Sequence, residues 1–174
     1  MRGSLRLPQS YDLMISILAI GKKHESWVES GIKRYSERLR SPWNLEWALL
    51  PHSSREGTSA REDESSRILT RLKADDYVVL LDERGRLLDS PALAQKLEDQ
   101  IGTSQRIVII IGGAYGVNEE LTRRANLVWS LAPLVFPHQL VRLILTEQLY
   151  RSQEIATGKP YPHSVLNQDT NTRQ

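Results

Sequence analysis

Residues 13–20 (LMISILAI), 77–81 (YVVLL) and 105–111 (QRIVIII) are apolar almost without a break. A strand with one wet face alternates apolar and polar positions; a strand covered on both faces does not. These runs therefore need cover above and below, and the segments between them supply it. In residues 25–39, Trp27, Val28, Ile32, Tyr35 and Leu39 recur at helical spacing. Further helices are expected over about 62–73, over 91–100 behind a Ser90 cap with proline first, and from an Asn118 cap through 126. Residues 44–50 and 127–131 add two strands. A long helix runs over about 137–157, closed by Gly158 and Pro160. Residues 51–66 are the most polar interior stretch and read as a surface loop, and 83–85 as a turn. The alternation predicts an α/β protein with a mostly parallel sheet and helices on both faces.

At 174 residues the chain fits one domain, able to bury on the order of 70% of the surface its unfolded form exposes. The expected organisation is an N-terminal extension over 1–12, a single domain over 13–163 and a polar tail over 164–174. The chain has no cysteine, which excludes a disulfide framework, a thiolate metal site and a cysteine nucleophile. His24, His52, His138 and His163 show no metal-ligand spacing, so no metal is expected. No apolar run reaches the roughly 18 residues of a membrane span, and the first residues lack the apolar core of a secretory signal. A cytoplasmic protein without a membrane partner is expected. The net charge of +2 does not by itself specify nucleic acid. The basic groups Lys22-Lys23, Lys33-Arg34 with Arg38 and Arg40, and Arg123-Arg124 read first as solvated helix faces, with an RNA surface as the alternative.

Residues 109–121 (IIIGGAYGVNEEL) end a buried strand on two glycines, with a third close behind. Ligands of open α/β sheets sit at such strand ends, and glycine permits positive φ and close backbone approach. The pattern is not the G-x-G-x-x-G of a dinucleotide site, and no Gly-Lys-Ser/Thr follows as in a P-loop. Glu119 and Glu120 disfavour a phosphate. A tight packing turn and a site for an uncharged or zwitterionic ligand stay open as readings. The last helix is apolar almost all round between Leu140 and Leu145, so part of its cover is expected from a second subunit. His138, Arg142, Thr146 and Tyr150 share a face at i, i+4 steps. Polar groups on a buried helix need partners. The stripe is either a hydrogen-bonded seam between subunits or an active site at that seam. Glu147 and Arg151 read as a structural ion pair.

Residues 109–121, followed by WSLAPLVFPHQLVRLILTEQLYRSQEIATGKPYPH, closely resemble the bacterial RlmH family of SPOUT-class methyltransferases. The resemblance is strongest over 108–161 and looser from Leu13 onward. It implies a C-terminal deep trefoil knot in the sheet, a homodimer, and S-adenosylmethionine as cofactor. The implied reaction is methylation of N3 of a pseudouridine in 23S ribosomal RNA, on assembled ribosomes. By motif, Leu81, Gly112, Gly113, Leu131, Ala132, Pro133, Leu134, Val135 and Phe136 would contact the cofactor. Arg142 is the candidate cation beside the developing imide anion. The tail around Tyr161 and His163, from the second subunit, would close the site. The chain departs from the family at that tail. PYH plus a basic residue becomes PYPHS, with Pro162 inserted, and both ends are longer. The departure keeps two alternatives open: a SPOUT enzyme with another RNA target, and a non-catalytic RNA-binding assembly factor.

Overall fold

The computed structural model describes residues 15–159. Its elements are β1 (Ile15–Ile20), α1 (Ser26–Ser36), β2 (Leu45–Leu50), α2 (Gly57–Leu69), β3 (Tyr77–Leu87), α3 (Ser90–Gly102), β4 (Ile107–Ile111), α4 (Glu119–Arg124), β5 (Leu127–Ser130) and α5 (His138–Ala156). The five strands form one sheet in the order β2-β1-β4-β3-β5, with every neighbouring pair parallel. The continuous apolar runs are explained by two layers of core. Ile15, Ile17 and Ala19 of β1, Val79 of β3 and Ile107, Ile109 and Ile111 of β4 pack with Leu93 and Leu97 of α3 and Leu145 and Leu149 of α5. The intervening Leu18, Ile20, Val78, Leu80, Val108 and Ile110 pack with Ile68 of α2 and Leu121 of α4. Alternate side chains thus enter opposite cores, and both sets are apolar.

Three local expectations need correction. Helix α2 begins at Gly57, earlier than residue 62, so less of the polar stretch is loop. Its inward face holds Ala60, Glu64, Ser65 and Ile68, and two polar members of that face hide it from a hydrophobic pattern. The cap of α3 is Asp89, whose carboxylate accepts from the Ala92 amide at 2.8 Å. Ser90 is already helical and donates instead to Gln148 Oε1 of α5 at 2.8 Å. Strand β3 continues past residue 81. Leu81 and Arg86 both pair with Trp129, so residues 82–85 form an excursion rather than a terminating turn. Asn118 caps α4 as expected, accepting from the Leu121 amide. Its own amide donates to Ser65 Oγ at 2.9 Å, which ties the end of the glycine stretch to α2.

Candidate active site

Strands β3 and β4 are neighbours, but the helices that follow them pack on opposite faces of the sheet. Their outgoing loops diverge, and a crevice opens at the strands' C-terminal ends. Parallel sheets take ligands at such a switch point. Here it holds a cavity of about 420 Å³, within the usual span of small-molecule sites. Leu81, Gly112, Gly113, Leu131, Ala132, Leu134, Val135 and Phe136 all line it, together with Asp82, Trp129, His138 and Val141. Pro133 is exposed and is not on the wall.

Positive φ is not what selects glycine at residues 112 and 113. Of the three, only Gly116 has a positive φ, 74°. Gly112 and Gly113 are required by packing. A Cβ on Gly112 would lie 2.9 Å from Val117 Cγ1, and one on Gly113 would collide with the Glu64 carboxylate and lie 3.2 Å from Ile20 Cγ2. The β3 excursion rests on a similar approach, since a Cβ on Gly85 would lie 2.7 Å from the Val128 carbonyl oxygen. Asp82 accepts from the backbone amide, Nε and Nη2 of Arg84 at 2.8, 3.0 and 2.8 Å. These bonds outweigh burial and hold its carboxyl below the usual range. Ser130 Oγ donates to the Ala132 carbonyl at 2.9 Å and sets the start of the loop between β5 and α5. On that loop Leu134 and Val135 are 62% and 80% exposed.

A buried polar cluster adjoins the cavity. Arg142 is 1% exposed and does not line the cavity; it sits one turn beyond His138 on α5. Its Nη1 donates to the Lys22 carbonyl at 2.8 Å and lies 3.3 Å from His24 Nδ1. Its Nε has no partner, and no carboxylate pairs with it among the described residues. Glu64 is 3% exposed. Its Oε1 accepts from the Ser53 amide at 3.0 Å and lies 4.0 Å from His52 Nδ1, while its Oε2 is buried without a partner. Burial, then Arg142 and His52, lower the pKa of His138, with Glu64 opposing. Burial and then Arg142 lower His24 below its ordinary 6.5. Both imidazoles are therefore neutral at pH 7. Burial also lowers Arg142.

Three members of the polar stripe on α5, Arg142, Thr146 and Tyr150, have partners within the chain. Thr146 donates to the Arg142 carbonyl at 2.8 Å, and Tyr150 packs against Tyr35 and Arg38. Glu147 and Arg151 pair at 2.6 Å as expected. His163 and Tyr161 lie outside the described residues. Sequence reasoning missed Glu64 and gave no role to His24 or His52. A signal for Glu64 existed: Ala60, Glu64 and Ile68 fall at i, i+4 and i+8, which places an acid on the buried stripe of α2. Of the basic groups, Lys22-Lys23 is exposed and follows β1, at the cavity end of the sheet. Arg124 is structural at the other end, where it donates to the carbonyls of Lys73 and Asp76 ahead of β3. Among the described residues no helix is long and apolar enough to cross a membrane, and no group of three His, Asp or Glu could hold a metal ion.

Comparison with known proteins agrees with this architecture. Residues 13–163 match the family described as predicted SPOUT methyltransferase. Ribosomal RNA large subunit methyltransferase H of Acetivibrio thermocellus is 40% identical over 157 residues, spanning 86% of this chain and 99% of that protein. The protein of the same name from Geotalea daltonii is 39% identical over 153 residues, spanning 87% and 100%. That from Thioalkalivibrio sulfidiphilus is 36% identical over 154 residues, spanning 86% and 98%. With the match running nearly end to end in each relative, and through both the glycine turn and the loop that faces it, the chain belongs to the SPOUT methyltransferase family.

Proposed function

We propose that this chain uses S-adenosylmethionine to methylate N3 of a pseudouridine in 23S ribosomal RNA, on assembled ribosomal particles, as a cytoplasmic homodimer. The observation that carries the reading is the cavity. The excursion of β3 after Leu81 and the ends of β4 and β5 converge on it in a SPOUT family member whose relatives are named for large-subunit ribosomal RNA. The wall suits an adenosine-bearing zwitterion. Leu81, Ile111, Leu131 and Val141 offer apolar surface to a ring, and backbone groups of the glycine turn and the 131–136 loop would meet its polar edge. Asp82 and Glu83 place negative charge near a cationic ligand. Arg84, the arginine of the wall, is bonded to Asp82, which leaves little to bind a phosphate. The bound cofactor supplies a methyl group already activated on a sulfonium. The protein must align the target nitrogen and provide for its proton, and alignment alone carries much of a rate enhancement.

The family's trefoil knot belongs to this reading, with the C-terminal segment threaded. A second subunit is supported by Leu140, Leu143 and Ile144, which border an open groove with Gly31 and Tyr35 of α1. The test is transfer of labelled methyl to ribosomal particles lacking the modification, followed by nucleoside mass spectrometry. N3-methylpseudouridine in the large-subunit RNA is expected. Label at another nucleotide would move the target. Ribosome binding without transfer would make the chain a non-catalytic assembly factor.

A further inference from the structure

Among the described residues, one side chain belongs both to the cavity wall and to the buried polar cluster. His138 lines the cavity with Gly113 and Val141; Arg142 follows it by one turn on α5, Glu64 lies directly against Gly113, and Arg142 and His52 both approach Gly21. Resting on the methyltransferase reading, we propose that His138 accepts the proton lost by the target base nitrogen, with the buried Glu64 beneath the glycine turn and Arg142 one turn along α5 as the charges around it.

The reaction needs such an acceptor. The base nitrogen forms a bond to the methyl carbon, and its N–H pair stays on the base. The S–C pair of the methyl-donor substrate returns to sulfur, leaving a neutral thioether. One proton must therefore leave the base. The other candidates on the wall are poorly placed to take it. Both oxygens of Asp82 are bonded to Arg84, and Glu83 is exposed to water. His138 is half-buried, and its neutral imidazole keeps one nitrogen lone pair free. The cluster then serves the imidazolium that forms. Glu64 brings a negative charge from α2, fixed through Oε1 by the Ser53 amide. Arg142, held on the Lys22 carbonyl, opposes retention of the proton, so the base resets. His24, after β1, meets Arg142 rather than His138. His52 stands at the outer edge of the cluster, with 48% of its side chain exposed and Nδ1 4.0 Å from Glu64 Oε1. The close approach of Gly113 to Glu64 lets this cluster sit directly under the turn that borders the cavity.

The test compares wild type with His138→Gln and Glu64→Gln in three measurements. These are methyl transfer to ribosomal particles across pH, calorimetric titration with S-adenosylmethionine, and NMR titration of the histidine rings. Removal of a general base predicts a loss of turnover of roughly 10²–10⁴-fold in His138→Gln, with the Kd for S-adenosylmethionine within about threefold of wild type. The His138 ring, identified by its absence in His138→Gln, titrates below 6.5. In Glu64→Gln it titrates lower still, and the acid limb of turnover moves with it. Turnover of His138→Gln within about threefold of wild type overturns the proposal. So does a loss of cofactor affinity that accounts for the lost turnover, or a His138 titration that Glu64→Gln leaves in place. A wild-type protein that transfers no methyl overturns the methyltransferase reading, and the proposal with it.

Discussion

Arg142→Met should raise the stability of the fold. The guanidinium is 1% exposed, so nearly all of its hydration is lost on folding. Even after relaxation, the penalty for an ion of this size is several kcal/mol. What the structure returns is limited. One charged hydrogen bond reaches the Lys22 carbonyl, a class that contributes about 1.5–3 kcal/mol. The 3.3 Å contact to His24 Nδ1 is longer than a good bond, and Nε has no partner. Methionine keeps most of the length and packs without charge, and Lys22 is exposed enough for water to take its carbonyl. We predict a gain of about 1–3 kcal/mol, or roughly 3–9 °C in Tm for a chain of this size. Differential scanning calorimetry at fixed protein concentration measures it. Arg142→Ala is the control, because it removes the charge but also opens a cavity, and it should fall about 2–5 kcal/mol below Arg142→Met. A Tm for Arg142→Met several degrees below wild type would show that the buried guanidinium is net stabilising. The cation would then be compensated, and Arg142 would be structural instead of a strain kept for the chemistry beside it.

Further outcomes follow from the same contacts. Gly113→Ala drives a methyl into Glu64 and Ile20 and should cost about 1–3 kcal/mol in urea unfolding; Gly116→Ala, with open space at its Cβ but φ 74°, should cost about 1 kcal/mol through backbone strain alone. His24 and His138 have folded pKa values below 6.5. The unfolded chain therefore binds more protons just below that pH, and the stability these groups contribute is complete above 6.5 and is lost as pH falls toward their folded values. Urea midpoints at pH 7.5 and 5.5 read this slope, which His24→Gln should flatten. Asp76 has its side chain 1% exposed and is bonded to Arg106 at 2.9 and 2.7 Å. Burial alone would raise its pKa, and the bonds from Arg106 and the Lys73 amide leave it lowered instead. Arg106→Gln strands that carboxylate and should cost about 3–5 kcal/mol at pH 7, a difference that shrinks in acid as Asp76 protonates.

The sheet was legible because its strands are covered on both faces, and such strands announce themselves as unbroken apolar runs. The cap at Asn118 and the Glu147–Arg151 pair were legible because each depends on residues within one turn. Ser90 reads as a cap in the sequence because two good capping residues stand side by side, and only the fold shows that its hydroxyl is engaged by Gln148. The residues expected around a cofactor do gather on one cavity, all but Pro133. That grouping came from motif resemblance, since nothing local connects residue 81 with residue 131. The buried cluster was not legible. Its members come from the end of β1, the end of β2, the middle of α2 and the first turns of α5. No spacing rule joins them, and Glu64 sits within a polar stretch that reads as solvent-exposed.

In the proposed function the cavity bounded by the glycine turn and the 131–136 loop holds the methyl donor. Calorimetric titration with S-adenosylmethionine tests it most directly, using wild type, Ala132→Trp to fill the cavity and Leu87→Ala as a control away from the wall. Saturable binding to wild type and Leu87→Ala is expected, and none to Ala132→Trp. Undiminished binding to Ala132→Trp, or a wild-type protein that binds no S-adenosylmethionine with ribosomal particles present, would contradict it.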